Sequence, residues 1–178
     1  MNESKYWQFP VLSTKHFTLR QLSTEDKVEI FILRSDERVL KYLDIQKAEK
    51  IEDAIIFIDK ILNGNNFEDW IYWGISEKGS SKLIGTICLW NFSVDKSKAD
   101  IGFALLPEYQ GQGIMQEVIP VVLDYGFTQI NLKSIKGEAA ADNIKSIKLM
   151  EKFGFKFEKE IDNMVLYTLS AKNKIQKF

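Results

Sequence analysis

Gln110-Gly111-Gln112-Gly113-Ile114-Met115 joins the apolar run Ile101-Gly102-Phe103-Ala104-Leu105-Leu106 to a stretch of helical periodicity, and this junction decides the fold. Two glycines let the backbone curl tightly, so that consecutive N–H groups can converge on one anion. A helix beginning at Gly113 adds its unpaired first-turn donors and the positive end of its dipole. On these six residues alone two readings stand: a seat for a phosphate or pyrophosphate, and an ordinary glycine turn ahead of a helix.

Upstream of the junction, residues 70–76, 83–90 and 99–105 read as strands. Turn-rich segments at Gly79-Ser80-Ser81 and Asp95-Lys96-Ser97 separate them, and connections this short imply an antiparallel meander. Downstream, a helix is expected over residues 113–127, a strand over 134–140 and a helix over 143–153. Gly154 stops that last helix, and Ile144, Ile147, Met150 and Phe153 are expected to point inward. Strands at 155–160 and 164–169 follow. Further back, residues 16–22 alternate as an opening strand. Ser23 then caps a helix running to about Arg34, with Val28, Phe31 and Ile32 on one face. A second helix carries Ile51, Ala54, Ile55, Ile58, Ile61 and Leu62 as one stripe and ends at Asn63-Gly64. Tyr6, Trp7, Phe9 and Pro10 make residues 1–13 too aromatic for a pure tail, so they are expected to lie against the domain, and residues 172–178 read as a frayed end.

The sum is a mixed α/β (α+β) domain with a mostly antiparallel sheet of about seven strands and about four helices. It spans 1–178 as a single unit with its core over about 14–170. The 24 basic and 25 acidic residues nearly cancel, which argues against stable nucleic acid binding. Cys88 is the sole cysteine, so a disulfide framework and a cysteine metal cluster are excluded; a buried small hydrophobe is the better reading of it than a catalytic thiol. The N-terminus lacks a signal-peptide pattern and no apolar run has membrane-spanning length, so a cytoplasmic protein without membrane contact is expected.

The element order, with the glycine loop between the fourth strand and third helix, resembles the GCN5-related N-acetyltransferase (GNAT) family. Gln110 to Met115 is similar to that family's pyrophosphate loop. Asn143-Ile144-Lys145-Ser146 followed by Glu151-Lys152-Phe153-Gly154-Phe155 resembles its Asn-x-x-Ser to Glu-Lys-x-Gly-Phe segment. Leu19-Arg20-Gln21-Leu22 and Pro107-Glu108-Tyr109 resemble the branch that includes the ribosomal-protein alanine acetyltransferases. The resemblance implies an acyl-CoA N-acyltransferase fold, acetyl-CoA as donor and co-substrate, no metal, and a primary amine as acceptor. It also implies site residues. Backbone N–H groups of Gln112, Gly113, Ile114 and Met115 would hold the pyrophosphate, with Gly111 permitting the approach and Gln110 opening the loop. Phe103, Ala104 and Leu105 would pair with the pantetheine arm, and an N–H near Leu105 would polarise the thioester. Asn143 would bind the arm or position the reacting groups.

Two departures stand out. Many relatives place a tyrosine before the Glu-Lys pair to protonate the leaving thiolate; here Met150 occupies that position, and Ser146 is the candidate that remains by analogy. Pro120 falls inside the third helix, removes one backbone bond to Gln116 and predicts a kink or widened turn.

Transfer needs an uncharged amine, a positioned thioester and a route for the lost proton. A lysine with pKa about 10.4 is neutral in roughly one molecule in 2,500 at pH 7, whereas an α-amine near about 7.8 is neutral in about one in seven. A site without a strong base therefore suits a protein N-terminus. Asp100 and Glu138 are the candidate bases, with ordered water as a rival; Asp142 reads better as a helix cap, and His16 as structural or exposed. Of Phe67, Trp70, Tyr72, Trp73, Trp90 and Phe92, at least half must serve the core, and the others could line an acceptor groove. Rival readings are a catalytically weak acetyl-CoA-binding regulatory module, a small-molecule amine acetyltransferase and a ribosome-associated binder, the last disfavoured by the neutral charge. The acceptor is expected to be set by residues 33–66, and both monomer and homodimer remain open.

Overall fold

The computed structural model describes residues 8–43, 45–64 and 69–173. One eight-stranded sheet runs in the order β1-β2-β3-β4-β5-β6-β8-β7. Its strands are β1 (Leu12–Ser13), β2 (Phe17–Gln21), β3 (Trp70–Glu77), β4 (Leu83–Trp90), β5 (Lys98–Leu105), β6 (Ser134–Ala140), β7 (Lys156–Ile161) and β8 (Met164–Ser170). Every neighbouring pair is antiparallel except β5 with β6. The helices are α1 (Lys27–Ser35), α2 (Glu37–Leu40), α3 (Ile51–Gly64), α4 (Ile114–Thr128) and α5 (Ile144–Lys152).

The mixed, mostly antiparallel architecture agrees with the sequence reading, with two additions. Strand β1 pairs with β2, and α2 is too short to show a helical period. The segment ahead of β1 does lie on the domain: the Trp73 Nε1–H donates to the Pro10 carbonyl at 2.7 Å, and Phe9 meets the Trp73 ring edge-on at 6.2 Å. Tyr6, Trp7, Phe67 and residues 174–178 lie outside the described residues. Ala171–Asn173, the described start of the expected frayed end, forms a 3-10 turn.

Ser23 caps as expected, yet it caps a 3-10 turn over Thr24–Asp26. The Asp26 carboxylate accepts from the Ser23 N–H and is clamped by Arg20 at 2.7 and 2.9 Å. The buried stripe of α1 is Ile30 and Leu33; the expected Val28 is 50% exposed. The shift follows from the 3-10 turn, which rotates the start of the α-helix. Helix α3 buries Ala54, Ile58 and Ile61 as its stripe predicts.

Both faces of the meander are covered. On one face Ile71, Trp73, Ile87, Leu89 and Ile135 pack under Val118, Val122 and Leu123 of α4 and Met150 of α5. On the other, Leu22, Ile30, Leu33, Ala54 and Ile58 form a second core joined by Trp70 and Tyr72. Trp70 and Tyr72 are thus removed from the candidate acceptor groove: the Tyr72 hydroxyl donates to Thr86 Oγ1 at 3.2 Å, and its ring meets Phe57 at 5.6 Å. Trp90 is different, at 47% exposure.

Helix α4 continues through Pro120 as a single α-helix, without the widened turn that proline predicted. Pro120 is itself buried together with Val118, Ile119 and Val122, so packing of the ring offsets the one missing bond. On α5, Met150 and Phe153 are buried as expected, whereas Ile144 is 52% exposed. It occupies the first helical position, ahead of the stripe, where the side chain clears the sheet.

Candidate active site

Strands β5 and β6 pair in parallel only from Lys98↔Ser134 to Ile101↔Gly137. Beyond that point they part. The Leu106 N–H donates to Ile84, towards β4, so alternation turns the amides of Phe103 and Leu105 away from β4 and into the gap. The Leu105 carbonyl is taken by Gln110 Nε2 at 3.1 Å. The gap thereby presents a short strand edge with its N–H groups available to a ligand that pairs as a strand does.

The glycine loop closes one end of this gap. Gly111 and Gly113 adopt φ of 76° and 79°, in the left-handed region where glycine alone rests without strain. A Cβ built on either would meet no atom within 4 Å, so backbone conformation rather than crowding is what calls for glycine there. Gly113 caps α4 without a side-chain bond, leaving the first-turn N–H groups of Ile114 and Met115 to outside acceptors. The Ile114 and Met115 side chains are buried and anchor the turn from below. The Gln112 side chain folds back so that its Nε2 donates to the Glu108 carbonyl at 2.6 Å. These features fit a pyrophosphate followed by a strand-like arm.

A cavity of about 780 Å³ continues from the loop along the gap, lined by Phe103, Ala104, Leu105, Gln110, Gly111, Gly113, Ile114, Met115, Glu138, Asn143 and Ser146. Of the candidate residues only Gln112 and Asp100 lie outside its lining. Asp100 sits in β5 opposite Trp90 and accepts from Asn91 Nδ2 at 2.8 Å. Glu138 is exposed on β6 just past the point where the strands part, and Asp142 is a lining residue that makes no cap. The cap of α5 is Asn143, whose Oδ1 accepts the Ser146 N–H at 3.3 Å. The Asn143 Nδ2 still carries two donors for a second partner. Met150 is 4% exposed and absent from the lining; its Sδ would stand 2.5 Å from a Cβ on Gly137, so it fills the space above that glycine.

The structure adds residues that carried no motif. Arg38, Val39, Tyr42 and Leu43, from α2 and the turn after it, complete the cavity wall. Asp36 caps α2 through the Arg38 N–H at 2.9 Å and grips the Arg38 guanidinium at 2.9 and 2.6 Å. Lys145, Lys148 and Lys152 follow helical spacing along α5 beside the loop, and the Lys152 ammonium donates to Gln116 Oε1. Burial pushes the Cys88 thiol up to about 12, which keeps it neutral and unreactive. His16 Nδ1 meets Glu117 Oε2 at 2.8 Å and serves structure, tying the β1–β2 turn to α4. Among the described residues no group of side chains could hold a metal, and no helix is long and apolar enough to cross a membrane.

Residues 16–156 match the family model described as Acetyltransferase (GNAT) domain. The chain belongs to the GNAT acetyltransferase family. It is 34% identical over 150 residues to an uncharacterized N-acetyltransferase, YoaA, of Bacillus subtilis, covering 84% of this chain and 85% of that one. The ribosomal-protein-S5-alanine acetyltransferase of Vibrio fischeri superposes with a TM-score of 0.79 at 21% identity, covering 93% of this chain and 99% of that one. Spermidine N-acetyltransferase of Vibrio cholerae, solved with CoA and spermine, gives 0.77 at 23% identity over 88% and 96%. This GNAT domain is an acetyl-CoA-dependent N-acetyltransferase, and its cradle and strand edge accord with CoA binding by a structural neighbour.

Proposed function

We propose that this GNAT enzyme moves the acetyl group by direct attack in a ternary complex, with the α-amine of a protein N-terminus as acceptor. The donor residues keep the roles their placement suits. The N–H groups of Gln112, Gly113, Ile114 and Met115 hold the pyrophosphate, Lys145 and Lys148 add positive charge beside it, and the Phe103 and Leu105 amides bind the arm and polarise the thioester. Asn143 and Ser146 orient the arm from the head of α5, and Glu138 accepts the amine's proton directly or through water.

One observation carries the choice of acceptor. No histidine lines the cavity, and its carboxylates, Glu138 and Asp142, are open to solvent rather than buried. Such a wall deprotonates a strongly basic amine poorly, so an amine already neutral in about one molecule in seven at pH 7 is favoured over a lysine side chain. The spermidine-acetylating neighbour motivates a second reading, a small polyamine acceptor. Thiol release measured with acetyl-CoA and a panel of free-N-terminus peptides, acetyl-capped lysine peptides and spermidine tests both. Turnover confined to free N-termini is expected; preference for spermidine would replace the first reading with the second.

A further inference from the structure

As the C–S bond of a thioester breaks, its electron pair stays on sulfur, and the thiolate must be stabilised or protonated. Met150 cannot donate a proton and is packed over Gly137, away from the cavity. The other described phenols lie outside the lining and are engaged elsewhere: Tyr72 with Thr86, Tyr167 with Glu151, Tyr125 with the ring of Trp73, and Tyr109 with the Lys82 ammonium over its ring. The cavity lining contains two hydroxyl side chains, Tyr42 from the turn after α2 and Ser146 from α5, both partly buried.

We propose that Tyr42, which lines the cavity together with Ser146, is the general acid that protonates the departing coenzyme A thiolate. This rests on the acetyl-transfer reading above. A phenol with pKa about 10 lies close to a thiol at about 8.5, so the transfer is nearly balanced, whereas an aliphatic hydroxyl is far too weak an acid. The Lys41 ammonium stands 4.6 Å from the Tyr42 ring centroid, where it favours the phenolate left behind. Three contacts hold this wall in place. Asp36 clamps Arg38, Val39 is buried in the second core, and the Leu43 N–H closes the turn on the Leu40 carbonyl at 2.9 Å. In the balanced step the amine nitrogen forms the C–N bond while C–S breaks. The Tyr42 O–H proton goes to sulfur, the amine's proton leaves through Glu138 or water, and the phenolate regains a proton from solvent.

The test compares wild type, Tyr42→Phe and Ser146→Ala in steady-state thiol release across pH, with acetyl-CoA binding followed by calorimetry. For Tyr42→Phe, kcat should fall roughly a hundredfold, with acetyl-CoA affinity unchanged and the basic limb of the pH profile abolished. Ser146→Ala should retain that limb. Replacing Tyr42 by fluorotyrosine should restore kcat and move the limb to lower pH. A Tyr42→Phe enzyme that keeps wild-type kcat and the basic limb overturns the assignment alone. Absence of turnover by the wild-type protein on every amine overturns the transfer reading and this assignment together.

Discussion

The two walls of the cavity are made of different material. The wall proposed to hold the donor is backbone: glycines held at positive φ, free first-turn amides of α4 and an unpaired stretch of β5, with Ile114, Met115 and Val118 packed beneath. The other wall is side chain: Arg38, Tyr42 and Leu43, carried by a four-residue helix and the turn after it. Backbone recognition demands particular conformations, and only glycine meets them cheaply, so it tolerates little sequence change. Side-chain recognition can be rebuilt one residue at a time. One scaffold can thereby keep a single donor and change acceptors.

Substitutions that separate the walls test this difference. Gly113→Val places a branched side chain at φ 79° and so strains the turn that aims the loop amides, and acetyl-CoA affinity measured by calorimetry should fall about a hundredfold or more. Equal loss of acceptor affinity would show that the walls are not independent. Gly137→Ala pushes a Cβ against Met150 Sδ beneath the gap and should lower stability by about 1–3 kcal/mol in urea unfolding. Combined with Met150→Ala, its cost should be less than the sum of the two. Trp90 stands beside Gly102, a lining residue whose added Cβ would lie 3.6 Å from its Nε1, and it is half exposed. Trp90→Ala should raise the acceptor KM several-fold, by about 1 kcal/mol, and leave acetyl-CoA binding unchanged; an unaltered acceptor KM would remove Trp90 from the acceptor wall.

The smallest effect concerns a strut behind the donor wall. Desolvation raises the Glu117 carboxyl, but hydrogen bonds from Thr14 and His16 outweigh it and hold the group down to about 2. A carboxyl depressed in the folded state stabilises above its unfolded value of about 4.3, and that stability is lost as pH falls towards 2. Glu117→Gln should therefore lower Tm at pH 7 by roughly 2–4 °C, for about 1 kcal/mol, and cost progressively less in acid. A Tm difference independent of pH would contradict this.

The same contrast governs what the sequence disclosed. Gln110 to Met115, the element order and the Asn143-to-Ser146 segment were legible because they impose backbone geometry with narrow residue choices. Arg38 and Tyr42 were not: α2 has a single turn, too short for a period, and nothing local marks a side chain that meets its partners across the sheet. Val28 was misplaced because a 3-10 turn before α1 rotates the helix, and Asp142 because the cap falls one residue later, at Asn143. Trp70 and Tyr72 were ambiguous in principle, since alternation assigns faces but cannot tell which face a helix covers. Pro120 lies inside α4, which stays helical on both sides of it with the ring buried.

The parting of β5 from β6 after Ile101 and Gly137 also has a thermodynamic side. The sheet is incomplete there, and on the proposed reading the donor's arm would act as its removable strand, bridging two halves whose backbone ladder is short and parallel. Occupancy of the gap is then part of the protein's cohesion: at a hundredfold excess over Kd, a ligand that binds the folded state alone adds about 2.7 kcal/mol to it. Supply of the co-substrate would set how firmly the two halves of the sheet hold together, as well as how fast the enzyme turns over.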